Sequence, residues 1–120
     1  MSTTAEEIDL WRLAAREHQR LEFKEAKAQF DWRRLLEYCV ALANEGGGNL
    51  VLGVADRPPR AVVGTRAFAD LGALAEQLLQ AVGFRVDVDE VLHPHGRVLV
   101  FHIPSRPRGT AYHLGGRYLM

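Results

Sequence analysis

The 120-residue sequence has little of several features that mark common classes of protein. Its single cysteine, Cys39, excludes an internal disulfide framework and a zinc site built from thiolates. No apolar run approaches the roughly 20 residues that a membrane-spanning helix needs. The N-terminal segment MSTTAEEIDLW lacks the basic start and the apolar middle of a secretory signal peptide. These absences predict a cytoplasmic protein that does not enter a membrane.

The charge of the sequence is balanced, with 15 basic residues, 15 acidic residues and a formal net charge of zero. This excludes a uniformly basic protein that coats nucleic acid, so the distribution of the charges carries the information. Arginines without a nearby acid occur in a proline-containing loop and towards the C-terminus. The candidate phosphate contacts among them are Arg57, Arg60, Arg106, Arg108 and Arg117. The alternative is that these arginines only keep the surface soluble.

Length and apolar periodicity predict that residues 1–120 form a single α+β domain. Helices are predicted at about residues 5–16, 32–43 and 68–82, with Thr4 and Asp31 as caps of the first two. Strands are predicted at about residues 20–24, 49–55, 84–88 and 97–103, the last of them central because it is almost wholly apolar. The pattern favours a mixed or antiparallel sheet of about five or six strands, with about three helices packed mainly on one face.

One group of polar residues is suited to chemistry on a phosphate. Glu22 and Lys24 share one face of a predicted strand, Asp56 directly follows a buried strand, and Glu17 lies near the end of the first helix. Three carboxylates brought together repel one another unless a cation joins them, and Mg²⁺ or Mn²⁺ suits an all-oxygen site. Such a metal can activate a water molecule while Lys24 holds a phosphate oxygen. The alternative is that all four are ordinary surface residues.

Other polar motifs are predicted to be structural. The glycine run at residues 46–48 follows a helix and precedes a strand, which is the reverse of a phosphate-binding loop, and so predicts a helix stop and tight turn. His93 and His95 flank a proline in a predicted turn and are interpreted as exposed residues rather than zinc ligands. His102 lies in an apolar strand and is interpreted as a core residue.

Two separated segments resemble the Schlafen-type AlbA-like (AlbA_2) domain family. The segment from Glu17 to Lys24 is similar to the family's opening signature, reading E-x-x-x-L-E-F-K. Residues 42–54 are similar to its segment A-N-x-x-G-G-x-L-x-x-G-V, which is followed by an acid. Pro104, residues 106–108 and residues 116–118 are similar to its closing part, so the resemblance covers about residues 16–120.

The resemblance implies a domain that binds RNA or DNA. In bacteria such domains often stand at the N-terminus of longer transcriptional regulators, and the missing continuation after residue 118 is compatible with a piece of a longer protein. In animal Schlafens, paired copies form an endoribonuclease that cuts transfer RNA with metal-bound carboxylates, at positions matched here by Glu17, Glu22 and Asp56, with a lysine at Lys24. For this chain the resemblance therefore implies Mg²⁺ or Mn²⁺ as a cofactor and a homodimer.

Three hypotheses remain open from the sequence. The first is a nucleic-acid-binding domain that contacts phosphates through its basic loops. The second is a metal-dependent endoribonuclease acting on transfer RNA or other structured RNA. The third is an oligomerisation module of a bacterial transcriptional regulator, in which a strand edge at Tyr118 and Leu119 joins copies of the chain.

Overall fold

A computed structural model describes residues 2–13 and 20–107, together with the backbone of residues 113–114 and 117–118. Within these residues three helices form, namely α1 (Ala5–Arg12), α2 (Trp32–Asn44) and α3 (Leu71–Val82). The strands are β1 (Leu21–Lys24), β2 (Gly48–Leu52), β3 (Asp87–His93), β4 (Gly96–Ile103), β5 (His113–Leu114) and β6 (Arg117–Tyr118). The predicted α+β class is confirmed. None of the described helices is long and apolar enough to cross a membrane.

The main sheet contains four strands in the order β1-β2-β4-β3. β1 and β2 run parallel, whereas β4 is antiparallel to both of its neighbours, so the sheet is mixed and β4 is an inner strand, as predicted. β5 and β6 form a separate two-stranded sheet, and the prediction of five or six strands was therefore slightly too high for the main sheet. Leu119 lies outside the described residues, so the predicted oligomerisation edge at Tyr118 and Leu119 stays a prediction.

Side chains alternate between the two faces of the sheet along each strand, so both faces carry apolar residues. Helices cover both of these faces. On one face, α2 and α3 pack against Leu50, Leu52, Leu99, Phe101 and Ile103. On the other face, Ile8 of α1 packs with Leu21, Phe23, Val51, Val98 and Val100. Two of the three described helices thus share one face and α1 lies on the opposite face, which refines the prediction of helices mainly on one side.

Each described helix begins at a side chain that accepts a hydrogen bond from the first turn. Thr4 Oγ1 accepts from the backbone of Glu7 at 3.2 Å, and the carboxylate of Asp31 accepts from the backbone of Arg34 at 3.0 Å. Asp70 does the same at the start of α3. The caps predicted at Thr4 and Asp31 are confirmed. α1 ends at Arg12, and the predicted extension to residue 16 falls on residues outside the described part of the chain.

The third strand lies further along the chain than the alternating residues 84–88 predicted. β3 begins at Asp87 and pairs with β4 along its whole length, and the pair is closed by a tight turn between His93 and Gly96. Phe84 and Val86 are buried, but they pack in the cluster formed with α2 and α3 as the chain leaves α3. The alternating burial of Phe84 and Val86 therefore comes from the packing of the segment that connects α3 to β3. The register of β3 against β4 is fixed by the short turn between them.

Histidine–aspartate contacts tie the N-terminal segment to the sheet. His93 is 7% exposed, and its Nε2 lies 2.8 Å from Oδ1 of Asp9 in α1, so the interpretation of His93 as exposed was wrong. This hydrogen bond is the main reason that the pKa of Asp9 lies below its ordinary value. His102 is half-buried, and its Nε2 lies 2.9 Å from Oδ2 of Asp89, which also accepts a hydrogen bond from the backbone of Thr3. These contacts hold residues 3–9 against β3 and β4.

Candidate functional site

The carboxyl ends of the parallel strands β1 and β2 meet at one end of the sheet. Lys24, the last residue of β1, is in register with Leu52, the last residue of β2. The backbone nitrogen of Gly53 donates to the carbonyl of Lys24 at 2.8 Å, so the chain that leaves β2 passes Lys24 before it reaches Asp56. In open α/β sheets, ligands bind preferentially at the carboxyl ends of parallel strands. Lys24 and Asp56 thus occupy a position favourable for a site.

Lys24 lies among groups that favour its charged form. Its Nζ is 3.8 Å from Oδ2 of Asp56, and the side chain is only 24% exposed. Burial acts to lower the pKa of Lys24, but the hydrogen bond with Tyr38 and the nearby charges of Asp56 and Glu22 outweigh burial and raise the pKa above its ordinary value. Glu22 stands two residues earlier on β1, with its side chain on the same face as Lys24. The structure therefore brings together Glu22, Lys24 and Asp56.

The third predicted carboxylate, Glu17, lies outside the described residues. Within the described ranges, no group of three or more histidine, cysteine, aspartate or glutamate side chains is arranged to hold a metal ion. Glu22 and Asp56 are the two described members of the predicted metal site. The Mg²⁺ or Mn²⁺ site formed by three carboxylates stays a prediction.

Tyr38 of α2 belongs to this site, although the sequence reasoning missed it. Lys24 Nζ lies 5.5 Å from the centroid of the Tyr38 ring, and Arg34 Nη2 donates to the Tyr38 hydroxyl at 3.4 Å. The Tyr38 ring also lies 6.2 Å from the ring of Phe30, measured between centroids. Helical periodicity identified the buried stripe of α2 and left Tyr38 outside it. An aromatic residue that lies outside the apolar stripe, four residues after an arginine, was the available signal.

Two of the arginines predicted to bind phosphate take different positions around the β2 loop. Arg57 is exposed and directly follows Asp56, so it lies beside the candidate site. Arg60 is 6% exposed, its guanidinium carbon lies 5.4 Å from the centroid of the Phe23 ring, and its Nη1 donates to the carbonyl of Arg12. Arg60 is thus packed on the face of the sheet that α1 covers, away from Lys24.

Among the C-terminal arginines whose side chains the structure describes, none lies beside Lys24. The backbone nitrogen of Arg106 donates to the carbonyl of Ala43 at 2.9 Å, and its Nε donates to the carbonyl of Asn44 at 3.2 Å. Arg106 thus binds the last carbonyls of α2, where a cation is favourable. Arg108 lies outside the described residues, and only the backbone of Arg117 is described.

The glycine turn forms the opposite end of the β1–β2 pair. The backbone nitrogen of Gly47 donates to the carbonyl of Leu42 at 2.8 Å and ends α2, as predicted. Gly48 then begins β2 against the backbone of Arg20. A cleft of about 500 Å³ beside this turn is also lined by Trp11 and Asn49. It adjoins the amino ends of the parallel strands and is separate from the site around Lys24.

Comparison with known proteins agrees with this architecture. A family model described as Schlafen, AlbA_2 matches residues 17–119, and no curated protein matches the chain. The DIP2311 protein from Corynebacterium diphtheriae has a similar fold, with a TM-score of 0.62 and 19% identity over 84% of this chain. That likeness covers 24% of the DIP2311 chain, so this chain spans about a quarter of that protein.

A second solved structure is similar over almost the whole chain. It is the N-terminal domain of a protein from Nitrosomonas europaea described as related to the ATP-dependent DNA helicase RecG. The TM-score is 0.64 and the identity is 21%, over 98% of this chain and 89% of that domain. Both likenesses show a shared fold.

Proposed function

Because this chain belongs to the Schlafen AlbA_2 family, we propose that it is a nucleic-acid-binding domain whose contact surface includes the carboxyl ends of β1 and β2. The observation that carries the proposal is the position of Lys24, whose ammonium group lies at the carboxyl end of a parallel strand, beside Asp56. The similar domain from Nitrosomonas europaea, which comes from a protein described as related to a DNA helicase, supports nucleic acid as the partner.

The proposed phosphate contacts are Lys24 and Arg57. A lysine ammonium has three donors, and Lys24 Nζ stays 3.8 Å from Asp56, so the pair leaves donor capacity for a phosphate oxygen. Arg57 is exposed on the adjacent loop and adds a second cation at the same edge. Arg60 is left out of this surface because it is buried against Phe23, and Arg106 because it binds the end of α2.

Removing either proposed phosphate contact is expected to weaken binding and reduce its dependence on salt. Each cation that meets a phosphate releases counterions, so Lys24→Gln and Arg57→Gln should each lower the slope of log affinity against log salt by about one. Fluorescence anisotropy with labelled RNA and DNA oligonucleotides, repeated over a series of salt concentrations, measures both quantities.

Arg85→Gln provides the matched control for this measurement. The Arg85 side chain is 84% exposed and pairs with Asp87 at the start of β3, on the opposite edge of the sheet from Lys24. Its loss should leave both the affinity and the salt slope unchanged. Equal effects of all three substitutions would indicate nonspecific attraction to surface charge, and binding that does not respond to salt would contradict the proposal.

A second candidate function is metal-dependent hydrolysis of transfer RNA or other structured RNA. It is favoured by the two carboxylates, Glu22 and Asp56, that both act on the charge of Lys24. Their oxygens fit Mg²⁺ or Mn²⁺, which when bound supplies an activated water and stabilises charge on the phosphate. Lys24 would orient the phosphate. The homodimer implied by the paired arrangement in animal Schlafens is part of this proposal.

Glu22→Gln is expected to abolish Mn²⁺-dependent cleavage of structured RNA while leaving RNA binding intact, since the change removes a negative charge from the surface. Cleavage is followed by gel electrophoresis of end-labelled RNA, with and without a chelator. Glu25→Gln is the control, because Glu25 follows β1 directly but pairs with Lys27 rather than Lys24. Unchanged cleavage by the Glu22 variant would show that Glu22 takes no part in catalysis. Cleavage that continues in the presence of the chelator would show that no metal is required.

A further inference from the structure

Two cations and two aromatic rings form one cluster next to the candidate site. Lys24 Nζ lies 5.5 Å from the Tyr38 centroid, and the guanidinium carbon of Arg34 lies 5.9 Å from the centroids of both Tyr38 and Phe30. The two rings are 6.2 Å apart and tilted by 34°. We name Lys24, Phe30, Arg34 and Tyr38 the cation–aromatic cluster.

The cation–aromatic cluster combines fixed rings with contact to solvent. Phe30 and Tyr38 are half-buried, and both pack against the core formed by α2, α3 and the sheet. Arg34 is exposed one helical turn before Tyr38. The core restricts the two rings, Lys24 and Arg34 lie over the Tyr38 ring, and the Arg34 side chain is exposed, so a base can reach the guanidinium that lies on the ring. Such rings can receive a planar ligand with little loss of side-chain freedom.

We propose that the cation–aromatic cluster binds an unpaired nucleotide of a single-stranded nucleic acid, with its base on Tyr38 and Arg34 and its phosphate at Lys24. Aromatic rings and guanidinium planes stack on the face of a base, and every base has such a face. In the interior of a duplex those faces are covered by neighbouring base pairs, so interior bases cannot stack on this cluster. The inference rests on the proposed function and adds the class of strand that is bound.

The competing interpretation is that the cation–π pairs only stabilise the surface of α2. Both interpretations predict some loss of stability when the ring of Tyr38 is removed. They differ in the binding of single strands relative to duplexes, because a purely structural ring has no reason to distinguish them. The ratio of the two affinities is therefore the decisive quantity.

The test compares wild type with Tyr38→Leu and Tyr38→Phe, using fluorescence anisotropy at one salt concentration. The probes are single-stranded RNA, single-stranded DNA and a blunt DNA duplex of the same length. Leucine keeps apolar contact with the core but removes the ring, and phenylalanine keeps the ring but removes the hydroxyl. We expect Tyr38→Leu to weaken binding of at least one type of single strand about 10-fold with duplex binding unchanged, and Tyr38→Phe to retain most of the preference.

Trp32→Ala is the matched control, because it removes another aromatic ring of α2 that faces Phe68 instead of Lys24. It should leave the ratio of single-strand to duplex affinity unchanged, and circular dichroism establishes that each variant is folded. An equal loss for single strands and duplexes in Tyr38→Leu, or no loss at all, overturns the inference. If wild type binds only the duplex, and Lys24→Gln and Arg57→Gln weaken that binding, the inference fails and the proposed function stands. If wild type binds none of the probes, both are overturned.

Discussion

Replacing Arg97 with alanine is expected to lower the free energy of unfolding by about 3 kcal/mol, because this side chain satisfies the backbone of a loop. Arg97 lies on β4 and is 19% exposed. Its guanidinium donates to the carbonyls of Ala67 at 2.8 Å, Phe68 at 2.9 Å and Thr65 at 3.2 Å, while its Nε donates to Glu90 at 2.6 Å. Alanine leaves the three part-buried carbonyls without this donor.

Urea unfolding followed by circular dichroism measures this loss. Arg97→Lys should recover only part of it, because an ammonium cannot reproduce the planar set of donors that reaches three carbonyls. Arg85→Ala is the control, since Arg85 is 84% exposed and its ion pair with Asp87 is expected to contribute less than about 1 kcal/mol. If Arg97→Ala proved no more destabilising than Arg85→Ala, the hydrogen bonds of Arg97 would not be important for the loop.

Gly48→Ala is expected to cost about 2–4 kcal/mol, because a side chain at this position meets the backbone of the neighbouring strand. A Cβ on Gly48 would lie 2.5 Å from the carbonyl oxygen of Arg20 and 3.1 Å from its carbonyl carbon. The same oxygen accepts a hydrogen bond from the backbone of Asn49 at 2.8 Å, so β1 cannot move away without weakening the parallel pair. Since β1 carries Lys24, nucleic-acid affinity should also fall.

Gly72→Ala is the comparison for this substitution, because it places the same methyl group in the first turn of α3. The nearest atom there is Oδ1 of Asp70, at 3.6 Å, which is ordinary contact. Alanine also favours the helix, so stability should stay equal or rise by up to about 1 kcal/mol. Thermal unfolding of both variants gives the difference. A Gly48→Ala variant as stable as wild type would show that β1 and β2 can separate locally, which contradicts the tight approach of Gly48 to Arg20.

The parts of the fold that depend on local patterns could be predicted from the sequence. Thr4 and Asp31 are helix caps, and the apolar run of β4 lies inside the sheet. The position of β3 could not be predicted from alternation, because the burial of Phe84 and Val86 comes from helices distant in sequence. The role of His93 was missed for the same reason, since its partner Asp9 is 84 residues away.

The candidate site was predictable only in part. Glu22 and Lys24 could be placed together because alternate residues of a strand share a face. Their approach to Asp56 depends on the parallel pairing of β1 with β2, which no local pattern specified; the resemblance implied only that these residues share a site. Tyr38 and the diverging positions of Arg57, Arg60 and Arg106 depend on how α2 and the β2 loop pack against the sheet. The sequence could not specify that packing.

The loop that follows β2 has a consequence for how members of such a family can diverge. Residues 57–59, which directly follow Asp56, are exposed and lie outside the hydrogen-bonded ladder of the main sheet. Substitutions there disturb few contacts of the core, and most exposed substitutions change stability little. Arg57, Pro58 and Pro59 can therefore change over evolutionary time while Lys24, Asp56 and the parallel strands are retained. Recognition of new partners can thus evolve on an unchanged scaffold.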